Sequence, residues 1–285
     1  MKRLLCGFAA WVLLVALTGP AQAQYTYTAF DVPGAIETVP QGINDSGQIV
    51  GLWDNSFSTF HGFLLDIDGS YTILDLPGAP LTGASGINNP GQIVGFYEDA
   101  SGYHGFRLDI DGSYTTLDVP GATVTQAYGI NDAGQIVGQF TYDGDTYHGF
   151  LFDIDGSYTT FDVPDAINTW PNGINNSGQI VGTYGGAGLR HGFLLDVDGS
   201  YTTIDPPGST LTFATGINNA GQIVGTYDYA RGQHGFLRDV DGSYTTIDVP
   251  GATSSFASGI NNAGQIVGVY GDDGGSSHGF VATPK

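Results

Sequence analysis

A chain of 285 residues with a net charge of −21 and one cysteine excludes several functions at once. Nucleic acid and anionic membrane surfaces disfavour so acidic a partner, because phosphate binding needs clustered Lys and Arg. A lone Cys6 makes no disulfide within the chain, so the fold must rest on its own core.

In chain order, the first element reads as a secretory leader, residues 1–23. Lys2 and Arg3 precede the apolar run LLCGFAAWVLLVALTG, and Ala21-Gln22-Ala23 is a small-x-small cleavage site. Cys6 leaves with it. Losing Lys2 and Arg3 takes the charge of the remaining chain from −21 to −23. Residues 24–285 then form a single domain that is secreted, extracellular or periplasmic, monomeric, and without a membrane span after cleavage.

The rest of the chain is one repeat. GIN[ND]xGQIVG begins at Gly42, Gly86, Gly129, Gly173, Gly216 and Gly259, and HGF at His61, His104, His148, His191, His234 and His278. The fifth copy shows the predicted elements. FATGIN is a strand from Phe213, Asn219-Ala220-Gly221 a turn, and Gln222–Tyr227 a second, β-branched strand. A third strand starts at His234, and the following Asp-Gly pair suits a tight hairpin. The fourth, YTTIDVP from Tyr244, alternates and ends at Pro250, which fits an edge strand.

Four antiparallel strands in about 43 residues, repeated around a closed ring, predict an all-β, six-bladed β-propeller with GIN innermost. The last copy stops at HGFVATP and lacks its fourth strand. The first segment, Tyr25 to Ala35, reads YTYTAFDVPGA and supplies it. The N-terminal strand would complete the last blade and close the ring.

The pattern GINNxGQIVG…HGF resembles the HAF family of extracellular repeats, from Tyr25 to Pro284, with Gly in place of the middle Ala in all copies. The resemblance implies secretion and a β-propeller. It implies no activity and no catalytic residue.

Three repeated sets invite a chemical reading. The Asp-x-Asp-Gly turns carry Asp66/Asp68, Asp109/Asp111, Asp153/Asp155, Asp196/Asp198 and Asp239/Asp241. They resemble the opening of a calcium loop, though the full pattern with its distal Glu is absent. The other reading is turn chemistry, Asp capping its own backbone. Calcium is thus the one cofactor in question. The outer-strand Asp31, Asp75, Asp118, Asp162, Asp205 and Asp248 read as edge charges. The six His read as a repeated structural hydrogen bond to a loop backbone, since catalysis needs one asymmetric constellation.

Variation is visible in the loops between second and third strands and in the links between units. Trp53, Tyr97, Tyr103, Tyr147, Trp170, Tyr184, Arg190, Tyr227 and Arg231 form the expected ligand-binding face. Aromatics with polar neighbours on variable loops over a rigid scaffold suit a glycan or an extracellular protein partner. The expected function is therefore a secreted, non-enzymatic binding domain. A hydrolase or lyase with an axial pocket is the alternative, with Glu98, Asp99, Asp143, Asp145, Arg190 and Arg231 breaking the symmetry. A structural cell-surface role is the third.

Overall fold

The computed structural model describes residues 24–55, 59–186, 188–230 and 232–285. The expected leader, residues 1–23, and Arg231 lie outside the described residues.

The first strand, β1, is Tyr25–Phe30. Each repeat then adds four strands. They are β2–β5 (Glu37–Ile43, Ile49–Asp54, Phe60–Leu65, Tyr71–Leu74) and β6–β9 (Leu81–Ile87, Ile93–Asp99, Gly102–Leu108, Tyr114–Leu117). Next come β10–β13 (Val124–Ile130, Ile136–Thr141, His148–Phe152, Tyr158–Phe161) and β14–β17 (Asn168–Ile174, Ile180–Gly186, Leu189–Leu195, Tyr201–Ile204). The chain ends with β18–β21 (Leu211–Ile217, Ile223–Tyr229, Gly232–Arg238, Tyr244–Ile247) and β22–β24 (Ser254–Ile260, Ile266–Gly271, Ser277–Pro284).

Where six separate sheets are expected, hydrogen bonding defines four four-stranded sheets and one of eight strands. The eight-stranded sheet holds β22–β24 with β1 on one side and β2–β5 on the other, joined by a single parallel pair, Glu37 with Ser277. β1 runs antiparallel to β24 from Tyr25–Pro284 to Phe30–Gly279. The outer strands β5, β9, β13, β17 and β21 are four residues long, shorter than the sequence suggests, because the turn begins soon after, as where Ala252 N–H donates to the Val249 carbonyl; β1 keeps six residues.

The HGF triplet is explained residue by residue. Its Phe is the core: Phe63, Phe106, Phe150 and Phe280 are fully buried. Its Gly lies against the outer strand and the next repeat; a Cβ on Gly105 would stand 2.9 Å from the Leu117 carbonyl. Its His departs from expectation. The partner is the outer-strand carboxylate fourteen residues on, not a loop backbone: His104 Nδ1 is 2.9 Å from Asp118, and His191 Nδ1 is 2.7 Å from Asp205. The remaining four repeats make the same pair, so the outer-strand Asp set is a bonding partner and not merely an edge charge.

The GIN asparagines bind successive repeats. Asn44 Nδ2 donates to the Asn88 carbonyl, and the chain of bonds passes through Asn131, Asn175 and Asn218 to Asn261. Asn261 then donates to the Asn44 carbonyl at 3.1 Å, closing the ring. Each of these carbonyls also accepts the N–H of the turn glycine three residues on, as Asn88 does from Gly91, so the asparagine amide adds a second bond that ties one repeat to the next.

Candidate functional site at the axial mouth

The residue before Gly-Ile-Asn takes five identities in the six repeats: Gln41, Ser85, Tyr128, Asn172, Thr215 and Ser258. In every repeat it is the extra residue of a β-bulge, since the first-to-second strand register shifts across it, as between Ala84 and Gly86. A bulge re-aims its side chain. Here all six line one cavity of about 160 Å³ on the axis, together with the Gly and Ile that follow. The glycines let the inner strands approach: a Cβ on Gly129 would lie 3.0 Å from the Gly173 Cα.

The bulge residues are not equivalent in bonding. Asn172 Nδ2 donates to the Ala214 carbonyl at 2.9 Å, and Thr215 Oγ1 to the Ala257 carbonyl at 2.8 Å, so these two brace the next repeat. Ser85 does not. It is only 6% exposed, and its hydroxyl has no hydrogen-bond partner among the described residues. Tyr128 donates its hydroxyl to Gln126 Oε1 at 3.1 Å and accepts from Gln139 Nε2 at 3.2 Å. Burial pushes the Tyr128 phenol up, so it stays a protonated donor across physiological pH.

Two larger hollows open beside the axis. One, about 280 Å³, is lined by Glu37, Val39, Gln41, Phe60, Ser85 and Tyr128, among others. The other, about 500 Å³, shares Glu37, Val39 and Gln41 and runs on to Phe213, Thr215, Phe256 and Ser258. Glu37 lines both larger hollows and is the one carboxylate there among the described residues; the axial cavity itself has none. On the strands the varied positions are alternate ones, such as Glu37, Val39 and Gln41 of β2, so they share a face.

The structure brings some of the expected binding residues to this mouth. The Arg190 guanidinium lies over Trp170 at 4.7 Å and over Phe213 of the next repeat at 5.3 Å. Tyr103 is 6.4 Å from Phe96, which is 6.2 Å from Tyr128, giving an aromatic track inward. Burial, and then its hydrogen bond with Glu98, raise the Tyr103 phenol above its ordinary value. Tyr147 holds the rim through its backbone, its N–H donating to Asn168 Oδ1. Trp53, Tyr97, Tyr184 and Tyr227 lie elsewhere. They sit on the opposite face of the second strands, each against its repeat's histidine ring at 5.0–5.6 Å.

Of the expected asymmetric acids, Asp99 and Asp143 are held by turn hydrogen bonds, while Glu98 lies within β7 opposite Tyr103. Asp143 accepts from the Thr146 and Asp145 N–H groups and from Thr141 Oγ1, which draws its pKa down to about 2. Asp99 accepts from Ser101, which lowers it as well. The Asp-x-Asp-Gly pairs behave alike. Asp68 takes the Ser70 N–H at 2.9 Å, while Asp66 takes the Ile67 N–H and, at 3.3 Å, Gln48 Nε2. Asp111, Asp155, Asp198 and Asp241 repeat the first contact, and Asp153, Asp196 and Asp239 the second. Asp109 accepts from Gln92 and pairs with Arg107 at 3.1 Å. Among the described residues no three His, Cys, Asp or Glu are grouped to hold a metal ion.

Reading the sequence for loop variation missed Glu37, Gln41, Ser85, Asn172, Thr215 and Ser258. Their signal was present: aligned repeats differ at alternate positions of the first strand, just before an invariant Gly-Ile-Asn.

No family model and no curated protein sequence matches the chain. Solved structures do share its fold. A streptogramin B lyase structure is 15% identical, with TM-score 0.52, covering 90% of this chain and 97% of its own. A putative gluconolactonase is 13% identical, with TM-score 0.56 and 93% of each chain covered. A putative TolB from Agrobacterium tumefaciens is 15% identical, with TM-score 0.59, covering 87% and 91%. At such identities the likeness speaks for architecture alone, and it establishes that the chain folds as an all-β propeller.

Proposed function

We propose that the protein is a six-bladed propeller of the periplasm or extracellular space that takes a small organic molecule at the axial mouth and acts on it as a hydrolase or lyase. The blade count treats the eight-stranded sheet as two blades, a reading supported by the six-membered ring of asparagine bonds. The observation that carries the site is Ser85, a residue only 6% exposed whose buried hydroxyl is unpartnered among the described residues, on the wall of a cavity shared with Gln41, Tyr128 and Glu37. A buried hydroxyl left unpaired is costly unless a ligand answers it.

The chemistry follows from the donor set. Glu37 is the base, taking a proton from water in hydrolysis or from carbon in elimination. Gln41 and Ser85 are neutral donors that can face an oxygen on which negative charge develops, and Tyr128, whose proton goes to Gln126 Oε1, walls the site beside them. The propellers with similar folds include a streptogramin B lyase and a putative gluconolactonase, which lends this class weight. The test is a turnover screen over lactones, aryl esters and substrates for β-elimination. Activity that Glu37→Gln abolishes without lowering Tm supports the assignment. Activity unchanged by Glu37→Gln contradicts it.

A second reading is non-enzymatic recognition of a glycan or protein partner over the same face. The Tyr103–Phe96–Tyr128 track favours it, because stacked rings suit sugar faces. Binding on a glycan array with no turnover in the screen would select this reading.

A further inference from the structure

Arg190 is a cation that the protein's own acids do not pair. The chain carries 28 Asp and Glu against 7 Lys and Arg, so a surface guanidinium should find a carboxylate easily. Arg107 does, at 3.1 Å from Asp109. Arg190 makes no ion pair among the described residues. It is laid over two aromatic faces contributed by neighbouring repeats, Trp170 and Phe213. That placement restrains the side chain and leaves the N–H donors around the guanidinium's edge. Phe213, in turn, is a wall of the 500 Å³ hollow that reaches Glu37 and Gln41. The shelf is therefore at the rim of the mouth, and the floor beside it is apolar: Val39, Phe213, Phe256 and Val269.

We propose that Arg190 is the anion anchor of the axial mouth, and that the ligand is an amphipathic carboxylate. Its carboxylate would take the guanidinium edge in a two-pronged hydrogen bond, and its apolar body would lie on the floor. A single negative charge fits better than a phosphate, because the surrounding field of so acidic a protein penalises each added charge. This inference rests on the mouth being the ligand site, and it adds the chemical class of what enters.

Trp170 makes the test direct. In a Trp53→Phe background, a change supported by the Phe that already occupies the equivalent position at Phe140, Trp170 is the tryptophan left among the described residues. Its emission is followed while 3-phenylpropionate, 3-phenylpropanamide or phenyl phosphate is titrated. The expected result is saturation by the carboxylate, weaker or no response to the amide and the phosphate, and at least about a tenfold loss of affinity in Arg190→Gln. Arg190→Lys, which keeps the charge but not the planar fork, should recover only part of it. Equal responses to carboxylate and amide, a preference for phosphate, unaltered binding in Arg190→Gln, or no saturation by about 10 mM would each overturn the anchor. The two layers separate through Ser85→Val and Gln41→Ala. If these weaken binding and Arg190→Gln does not, the mouth stands and the anchor falls. If Arg190→Gln abolishes carboxylate binding and these leave it untouched, the anchor stands without the mouth.

Discussion

His278 Nδ1 lies 2.9 Å from the Asp31 carboxylate, across 247 residues of sequence. In the other repeats the same bond spans fourteen residues within one hairpin, as from His104 to Asp118. The contact therefore marks where the two ends of the chain complete one repeat. β1 also covers Phe280, whose neighbours in the core include Tyr25 and Ala282. Deleting residues 24–31 should expose this core edge and leave the protein unfolded or aggregated, as read by circular dichroism and size exclusion. A folded monomer with unchanged Tm would mean that β1 adds nothing to closure.

The same pair gives a pH dependence. The hydrogen bond that His278 donates to the Asp31 carboxylate raises its pKa above the ordinary value, with partial burial opposing it and Asp272 adding to it. A raised histidine stabilises the fold in its protonated form. The contribution is complete below about pH 6.5 and fades as pH rises through the raised value. His278 and Asp31 side chains are 28% and 46% exposed, so solvent screening limits the effect to about 0.5 kcal/mol. Asp31→Asn should lower Tm more at pH 5.5 than at pH 8.5; a deficit that grows with pH would refute the assignment.

Packing around the second-strand glycine should be unforgiving. A Cβ on Gly95 would collide with the Gly83 carbonyl and stand 2.9 Å from the Phe106 ring. Gly95→Ala is expected to cost about 2–3 kcal/mol by overpacking, and Phe106→Ala about 3–5 kcal/mol by cavity formation. Urea unfolding measures both. If Gly95→Ala changed stability by under about 0.5 kcal/mol, the strand spacing would have to be softer than described.

Calcium should not stabilise the protein. The turn carboxylates already accept backbone N–H groups, as Asp68 does from Ser70 and Asp66 from Ile67. The Ser70 hydroxyl, and then its backbone N–H, hold Asp68 below the usual carboxylate range, and the matching serine does the same for the second Asp of the other turns. A site filled at a hundred times its Kd would add about 2.7 kcal/mol, a shift of several degrees in Tm. Thermal melts with calcium and with chelator should coincide. A rise with calcium that Asp66→Asn removes would restore the metal reading.

Much of this architecture was legible from spacing. Period, turns, inner strand and the completion of the last repeat by the first strand follow from counting between Gly42 and His278. The His–Asp pairs were equally regular at fourteen residues, yet each member had a sufficient explanation alone, so the bond between them went unread. The mouth was hidden for a different reason. Variation was sought in loops and links, whereas Gln41, Ser85 and Asn172 vary inside strands, at the bulge that faces the axis. Nor does sequence reveal that Asn172 and Thr215 spend their side chains on the next repeat while Ser85 does not. The eight-stranded sheet hangs on one parallel pair, Glu37 with Ser277, which no local pattern encodes.

The most direct measurement is a fragment soak of crystals of the protein, using a library of small neutral and anionic organic molecules. Bound fragments should concentrate at the axial mouth, with a polar atom on the Ser85 hydroxyl and further contacts to Gln41 or Tyr128. Fragments gathered at the Asp-x-Asp-Gly end or along the outer strands, with the mouth free of them, would contradict it.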